Sequence, residues 1–137
     1  MSTAEQTMAL IERYYAAFNA GDPEGVLDCL HEDVAHDVNQ AAREVGKPAF
    51  RAFLERMGLA YRENLTDIVI MASADGSKAA AEFVVHGDYL KGEAGYPPAH
   101  GQHYVIPAGA FFDVEDGLIS RVTVYYNLVD WIAQVSA

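Results

Sequence analysis

The sequence has one cysteine, Cys29, and only nine lysine and arginine residues against twenty aspartate and glutamate residues. A lone thiol forms neither an intramolecular disulfide nor a thiolate zinc cluster, so Cys29 is predicted to be a small buried apolar side chain. The formal net charge of −11 would repel a phosphate backbone. These shortages exclude a disulfide scaffold and argue against a nucleic-acid partner.

Long apolar runs are missing as well. No stretch approaches the ~18 apolar residues that a membrane-spanning helix needs, and no basic segment followed by an apolar one begins the chain. We therefore expect no membrane partner and a cytoplasmic location. The 137 residues, 51% of them hydrophobic, suffice for one core, so residues 1–137 are predicted to form a single domain.

The common motifs of metal, phosphate and nucleophile sites are also absent. The sequence has no HExxH pair, no glycine-rich phosphate loop and no GxSxG turn. Its five histidines fit no familiar ligand spacing. We therefore predict neither a metal site nor a cofactor.

Helical periodicity dominates the first half of the chain. Thr3 and Gln6 have the spacing of a capping box, and apolar residues behind them recur every three or four positions. Asp22 and Pro23 begin a second, short helix, and Pro48 begins a third. The predicted elements are helices over 3–18, 22–31 and 48–61, with a short strand over 33–40.

The second half changes to the alternating pattern of strands. Asp-Gly pairs at 75–76 and 116–117 mark tight turns between them. The predicted strands cover 65–73, 78–90, 102–114 and 118–126, with an irregular excursion over 91–101 and a short helix over 128–135. Helices followed by a meander predict an α+β fold, with about three N-terminal helices on a curved, mostly antiparallel sheet that encloses an apolar pocket.

Polar side chains inside apolar segments are the candidates for chemistry, because a core retains an ionisable group only when it is paired or used. Tyr14 lies about 100° around the first helix from the core residue Tyr15, either as packing or as a hydrogen-bond donor into the pocket. Alternation separates His36 from Asp37 and Asn39. Asp37 suits a general base, with His36 as its acid partner or as a loop residue.

Two further groups stand in or beside strands. Glu82 and His86 share one face of a strand; if Phe83 and Val85 face the core, the two polar residues belong to the outer face or a dimer interface. If the opposite face lines the pocket, Glu82 is a carboxyl group with a raised pKa. The aromatic group near the C-terminus either packs or borders a ligand; it comprises Tyr125, Tyr126, Asn127 and Trp131.

Several of these segments together resemble a known superfamily. They are Ile11-x-x-Tyr14-Tyr15-x-x-Phe18-Asn19-x-Gly21-Asp22, Asp33-Val34-x-His36-Asp37, Gly87 with Pro97-Pro98-Ala99-x-Gly101, and Glu115-Asp116-Gly117-x-Ile119. Over nearly its whole length the chain resembles the nuclear transport factor 2-like superfamily, and it is most similar to the ketosteroid isomerase-related and SnoaL-like polyketide cyclase group. The resemblance implies a cystatin-like cone, usually a homodimer through the sheet, that moves protons next to a carbonyl without metal or cofactor.

The resemblance also implies roles for single residues. Tyr14 falls on the isomerase's oxyanion-hole tyrosine, and the isomerase's base falls on Val38 without a gap or on Asp37 with one. The isomerase's second acid falls on Gly109 and the cyclase's strand aspartate on Ala110, so both acids are missing. The cyclase's partner histidine falls on Tyr89. The same match places Ala80, Glu82, Val84, His86, Val122, Val124 and Tyr126 on the pocket side.

The resulting hypothesis is an enzyme for a small hydrophobic carbonyl compound. Asp37 removes a proton, Tyr14 stabilises the enolate oxygen, and Glu82 or His86 returns the proton, which gives isomerisation, cyclisation or dehydration. The expected ligand contacts are His36, Asn39, Tyr89, Tyr126, Asn127 and Trp131. The alternatives are a non-catalytic pocket for a small hydrophobic ligand and a dimerisation module that uses the outer sheet face.

Overall fold

The computed structural model describes residues 3–136, which form four helices and a six-stranded sheet. The α+β prediction is therefore confirmed. Two strands precede α3: β1 overlaps the predicted strand over 33–40, and the two-residue strand β2 was not predicted. In chain order the elements are α1 Ala4–Asn19, α2 Pro23–Leu27, β1 Leu30–Val38, β2 Glu44–Val45, α3 Lys47–Ala60, β3 Tyr61–Ala72, β4 Lys78–Tyr89, β5 Gln102–Glu115, β6 Leu118–Tyr126 and α4 Leu128–Val135.

The sheet has the strand order β2-β1-β6-β5-β4-β3. Only the β1–β6 pair is parallel within the described residues, so the sheet is mostly antiparallel as predicted. Between β5 and β6, Asp116 and Gly117 have φ values of 54° and 75°, the left-handed conformation that a tight hairpin requires. This turn fixes the register in which β6 joins β5 to β1.

Helix α1 is tied to the sheet at both ends. The predicted capping box is present: the Thr3 hydroxyl accepts from the Gln6 amide at 3.2 Å, and Gln6 Oε1 accepts from the Thr3 amide at 2.9 Å. At the other end, the Asn19 side chain exchanges two hydrogen bonds of 2.9 Å with the backbone of Leu65 on β3. The helix therefore lies across the sheet with Tyr14 and Tyr15 in the core.

A second core cluster lies beneath α4, around Trp131. Pairing between β5 and β6 begins at Ala108 and Tyr126, which leaves the backbone of Val105 without a strand partner from β6. The Gln134 side chain bonds to both the amide and the carbonyl of Val105 at 2.9 Å. Helix α4 thus closes this edge of β5 and holds Trp131 at one end of the cavity. Within residues 3–136, no helix is long and apolar enough to cross a membrane.

Candidate active site

A cavity of about 780 Å³ lies between the helices and the inner face of the sheet. It is partly open to solvent, so the prediction of an enclosed pocket is not confirmed. Its walls come from α1, α3, α4, the six strands and the segments around 39–43 and 93–96, and most of the lining residues are apolar or aromatic. The polar residues on the walls include Tyr14, His36, Asn39, Glu63, Glu93, Tyr104 and Tyr126.

The structure separates the predicted site residues into two groups. Tyr14, His36, Asn39, Tyr126 and Trp131 line the cavity. Asp37, Glu82, His86, Tyr89 and Asn127 do not line it. The predicted convergence of Tyr14, Asp37, Glu82 and His86 on one cavity is therefore wrong.

Asp37 lies on the outer face of the sheet, because its neighbours His36 and Val38 point to the cavity. Its carboxylate accepts from Arg43 Nε at 2.7 Å, from Arg43 Nη2 at 2.9 Å and from the Thr123 hydroxyl at 2.7 Å. The hydrogen bonds from Arg43, followed by the one from Thr123, lower the pKa of Asp37 to about 2. A carboxylate held in this way is a weak base that does not reach the cavity, which argues against its predicted role.

Glu82 and His86 also lie on the outer face, because Phe83 and Val85 line the cavity. Glu82 is exposed, and His86 Nε2 lies 3.1 Å from the Thr66 hydroxyl. The alternation of the sequence had left this placement open, and the family register favoured the wrong face for β4. A shift of one residue moves every side chain of a strand to the other face.

Tyr89 and Asn127 have structural contacts instead of cavity positions. The buried Tyr89 hydroxyl donates to the Pro97 carbonyl at 2.7 Å and accepts from the Glu93 amide at 3.3 Å. It thereby fixes the irregular segment 91–101 against the sheet. Asn127 is the N-cap of α4, and its Oδ1 accepts from the Asp130 amide at 3.0 Å.

His36 lies on the cavity wall between two aromatic rings. Its imidazole stacks on Phe50 with ring centroids 4.3 Å apart and meets Phe53 edge-on at 4.6 Å. Burial lowers the pKa of His36 to about 4, so the ring is neutral near pH 7. Since it forms no hydrogen bond within residues 3–136, its polar edge is available to a molecule in the cavity.

Tyr14 provides a second unused polar group in the cavity. Its ring packs edge-on against Tyr15 at 5.1 Å and Phe112 at 5.8 Å. Burial raises the pKa of Tyr14 above its usual range, so the hydroxyl keeps its proton. Within the described chain, this hydroxyl forms no side-chain hydrogen bond. Every fully buried side-chain oxygen there has a hydrogen-bond partner, so the unpartnered Tyr14 hydroxyl is not fully buried and is accessible from the cavity. It is suited to donate to a ligand oxygen.

Glu63, at the start of β3, is the cavity carboxyl group that the sequence reasoning missed. Its Oε2 accepts from the Tyr104 hydroxyl at 2.5 Å, and it forms no ion pair with a described residue. Burial raises the pKa of Glu63 above its usual range, although the Tyr104 hydrogen bond acts in the opposite direction. A carboxyl group of this kind is a stronger base than an exposed one and is suited to accept and return a proton.

Gly87 makes the contact between Glu63 and Tyr104 possible. The three residues are register partners across β3, β4 and β5, with Gly87 in the middle. A Cβ atom at Gly87 would overlap the phenol ring of Tyr104. The missing side chain therefore gives Tyr104 the space to reach across β4 to Glu63.

A signal for Glu63 was present in the sequence. Tyr61, Glu63 and Leu65 alternate on the face that lines the cavity, but the strand was predicted to begin only at Leu65. Within residues 3–136, no three His, Cys, Asp or Glu side chains are grouped to hold a metal ion.

Comparison with known proteins agrees with this architecture. The SnoaL-like domain family matches residues 11–122. Two solved structures that carry the name "putative polyketide cyclase" are similar over nearly the whole chain. The one from Pseudomonas putida KT2440 is 58% identical, covers 94% of this chain and 97% of its own, and has a TM-score of 0.93. The one from Xanthomonas campestris pv. campestris is 55% identical, covers 98% and 100%, and has a TM-score of 0.95.

A more distant structure shows the fold alone. It is an NTF2-like protein from Burkholderia xenovorans LB400, which is 15% identical, covers 100% of this chain and 99% of its own, and has a TM-score of 0.77. The predicted resemblance to the SnoaL-like group is confirmed by the family match, and the distant structure shows that the fold is that of an NTF2-like protein. No curated protein matches the chain significantly.

Proposed function

Since this chain belongs to the SnoaL-like domain family, we propose that its cavity binds a small, largely hydrophobic carbonyl compound and catalyses proton transfer next to the carbonyl. Apolar and aromatic walls favour such a ligand, and few polar groups face it. The observation that carries the proposal is Glu63, a desolvated carboxyl group in the cavity wall with no cationic partner among the described residues. The chemistry needs no metal or cofactor.

In the proposed mechanism, ionised Glu63 takes a proton from the carbon next to the carbonyl. The electron pair of the broken C–H bond forms a carbon–carbon double bond, and negative charge develops on the carbonyl oxygen. Tyr14 stabilises that charge by a hydrogen bond, and neutral His36 is a second donor. Protonated Glu63 then returns the proton to the same carbon or to another one. Glu63 thus takes the role that the sequence hypothesis gave to Asp37, Glu82 and His86.

The outcome depends on where the enolate reacts. Return of the proton from Glu63 to a different carbon gives isomerisation. Attack of the enolate carbon on a second carbonyl, whose oxygen then takes the proton, gives cyclisation. Loss of a hydroxyl group that takes the proton and leaves as water gives dehydration. All three begin with the same proton removal. That first step is therefore the one to measure while the substrate is unidentified.

Hydrogen–deuterium exchange tests this step. Small hydrophobic ketones and 1,3-diketones are incubated in D₂O with the protein, and the loss of the proton next to the carbonyl is followed by NMR. We expect exchange above the buffer rate, reduced about 10²-fold or more in Glu63→Gln. The control variants Asp37→Asn and Glu82→Gln should keep it, because both side chains lie on the outer face. Full exchange in a folded Glu63→Gln variant would exclude Glu63 as the base.

The missing family acids favour one alternative, a cavity that only binds its ligand. Gly109 pairs with Glu82 across the sheet, and Ala110 is buried in the core. Because glycine and alanine have no polar side-chain atoms, neither position supplies a polar group to the cavity. Native mass spectrometry distinguishes the two functions. A bound compound that is recovered unchanged after incubation supports binding alone, and a converted one supports catalysis.

We also propose that the chain forms a homodimer through the outer sheet face, as the sequence led us to expect. Large apolar side chains remain exposed there, and Phe111 and Tyr125 form an aromatic pair with centroids 6.1 Å apart. A second copy would bury this surface.

A further inference from the structure

The charged residues on the cavity wall differ in whether they have a partner of opposite charge. The arginines that line it both face a carboxylate: Arg43 Nε lies 2.7 Å from Asp37, and Arg56 Nη2 lies 3.5 Å from Glu44. The Arg56 guanidinium also lies 5.8 Å from the centre of the Phe53 ring. The positive charges of the cavity are therefore already engaged within the protein.

Two carboxyl groups on the wall have no such partner. Neither Glu63 nor Glu93 forms an ion pair with any residue in the described range 3–136. They flank Tyr61. Glu63 follows Tyr61 by two residues on the same face of β3. Burial is the main cause that raises the pKa of Tyr61 above its usual range, and the nearby Glu93 carboxylate is the second cause. The carboxyl groups of the cavity that have no cationic partner among the described residues thus lie around Tyr61.

Aromatic rings surround the same place. Tyr61 meets Trp131 edge-on with centroids 6.1 Å apart and Tyr104 at 6.4 Å, and both of these residues line the cavity. The π faces of tyrosine and tryptophan attract cations, and organic ammonium groups are commonly bound by such rings. We define the acidic aromatic subsite as Tyr61, Glu63, Glu93, Tyr104 and Trp131.

We propose that the acidic aromatic subsite binds an organic ammonium group, so that the carbonyl compound in this cavity carries a protonated amine. Carboxyl groups without a protein cation, aromatic faces and a net charge of −11 all favour a positively charged ligand over a neutral or anionic one. The identity of the substrate as a carbonyl compound rests on the proposed function, whereas the ammonium subsite does not.

Trp131 is the only tryptophan of the chain and lines the subsite, so its fluorescence reports directly on binding. The probes are choline and 3,3-dimethylbutan-1-ol, which replaces the trimethylammonium group of choline by a neutral group of the same shape. Both are titrated at constant ionic strength, and the binding heat is measured in parallel. We expect choline to bind about tenfold or more tightly than the neutral alcohol.

Charge-removing variants locate the effect. Glu93→Gln and Glu63→Gln should each weaken choline binding several-fold and leave the neutral alcohol unchanged. Glu82→Gln removes the same charge from the outer face and should leave both affinities unchanged. Because Glu93 is exposed, its variant remains informative even if Glu63→Gln fails to fold.

Three results would overturn the proposal: equal affinities for the two probes, no binding of choline by fluorescence or heat, or equal weakening by Glu82→Gln and Glu93→Gln. Choline has no carbonyl, so none of these results depends on the proposed proton transfer. Conversely, the exchange experiment with neutral ketones can fail while choline still binds.

Discussion

The Tyr104 hydroxyl donates to Glu63 Oε2 at 2.5 Å across the space that Gly87 leaves on the intervening strand. A carboxyl group on one strand and a phenol two strands away do not normally meet, because the strand between them carries a side chain. Here that side chain is a hydrogen atom. The position of Glu63 in the cavity thus depends on a residue that contributes no chemical group of its own.

Replacing Gly87 by Ala should therefore disturb both stability and the site. The added Cβ would overlap the Tyr104 ring, which is buried and packed against Trp131 at 6.0 Å, so the ring has little room to move. We expect the free energy of unfolding to fall by about 1–3 kcal/mol and exchange activity to fall with it. Urea denaturation and the deuterium exchange assay measure the two effects.

Gly58→Ala is the matched control for this change. Gly58 lies in helix α3, and a Cβ atom there meets nothing within 4 Å. That substitution should stabilise the protein by about 0.5–1 kcal/mol. If the overlap with the ring is the cause, the added substitution Tyr104→Leu should restore part of the stability of Gly87→Ala. Equal stability of the two single alanine variants would refute this explanation.

Glu63 should make the free energy of unfolding decrease as the pH rises. Its pKa is raised in the fold, so the folded chain holds its proton more strongly than the unfolded chain does. The stability from this proton is present below the unfolded pKa near 4.5 and is lost as the pH rises through the folded value. Relative to the wild type, Glu63→Gln should gain stability between pH 4 and pH 8.

Asp37 should have the opposite dependence. Its pKa is lowered from 3.8 to about 2 in the fold. The ionised carboxylate therefore increases the free energy of unfolding above pH 3.8, and this stabilisation is lost as the pH falls towards 2. Asp37→Asn should cost about 1 kcal/mol at pH 7, an amount reduced because Arg43 is half exposed and solvent screens the pair. Relative to the wild type, the two variants should change in opposite directions as the pH rises: Glu63→Gln gains stability above about pH 4.5, and Asp37→Asn loses stability between about pH 2 and pH 4. Parallel curves would contradict both assignments.

His36 should be the main source of a loss of stability in mild acid. Because its pKa is about 4 in the fold and 6.5 in the unfolded chain, the unfolded chain takes up a proton first as the pH falls. We expect the wild type to lose about 2–3 kcal/mol between pH 6.5 and pH 4, and His36→Phe, which keeps a ring between Phe50 and Phe53, to lose much less. An NMR titration of the His36 ring with a midpoint above pH 6 would contradict this prediction.

The sequence predicted best those elements that polar residues delimit. The bounds of β6 and α4 agree with the prediction because the Asp116-Gly117 turn begins one and the Asn127 cap begins the other. Three bounds failed: α2 ends at Leu27 and not near 31, β1 begins at Leu30 and not at 33, and β3 begins at Tyr61, directly after the end of α3 at Ala60, with no turn residue between them. The last of these failures removed Glu63 from the candidates.

The site required information that alternation alone does not contain. The sequence showed that Glu82 and His86 share a face of β4, but it did not show which face meets the helices. Tyr14 was identified because it stands beside the apolar stripe of the first helix, and His36 because it is a polar residue at the end of an apolar strand; both lie in the cavity. The partners of Asp37 were not predictable, because Arg43 follows an irregular segment and Thr123 is brought beside Asp37 only by the parallel pairing of β1 with β6.

The proposed dimer interface can be tested at Phe111. Phe111 is 47% exposed and Tyr125 54% exposed on the outer sheet face, near the ion-pair network of Asp37, Arg43, Asp113, Arg121 and Lys78. If a second copy covers this face, sedimentation at micromolar concentration should give a dimer, and Phe111→Asp should dissociate it by placing a charge in an apolar contact. Val129→Asp, at a more exposed apolar position on helix α4, is the control and should remain dimeric. A wild type that sediments only as a monomer would exclude the interface. Equal dissociation by both variants would show that the contact lies elsewhere.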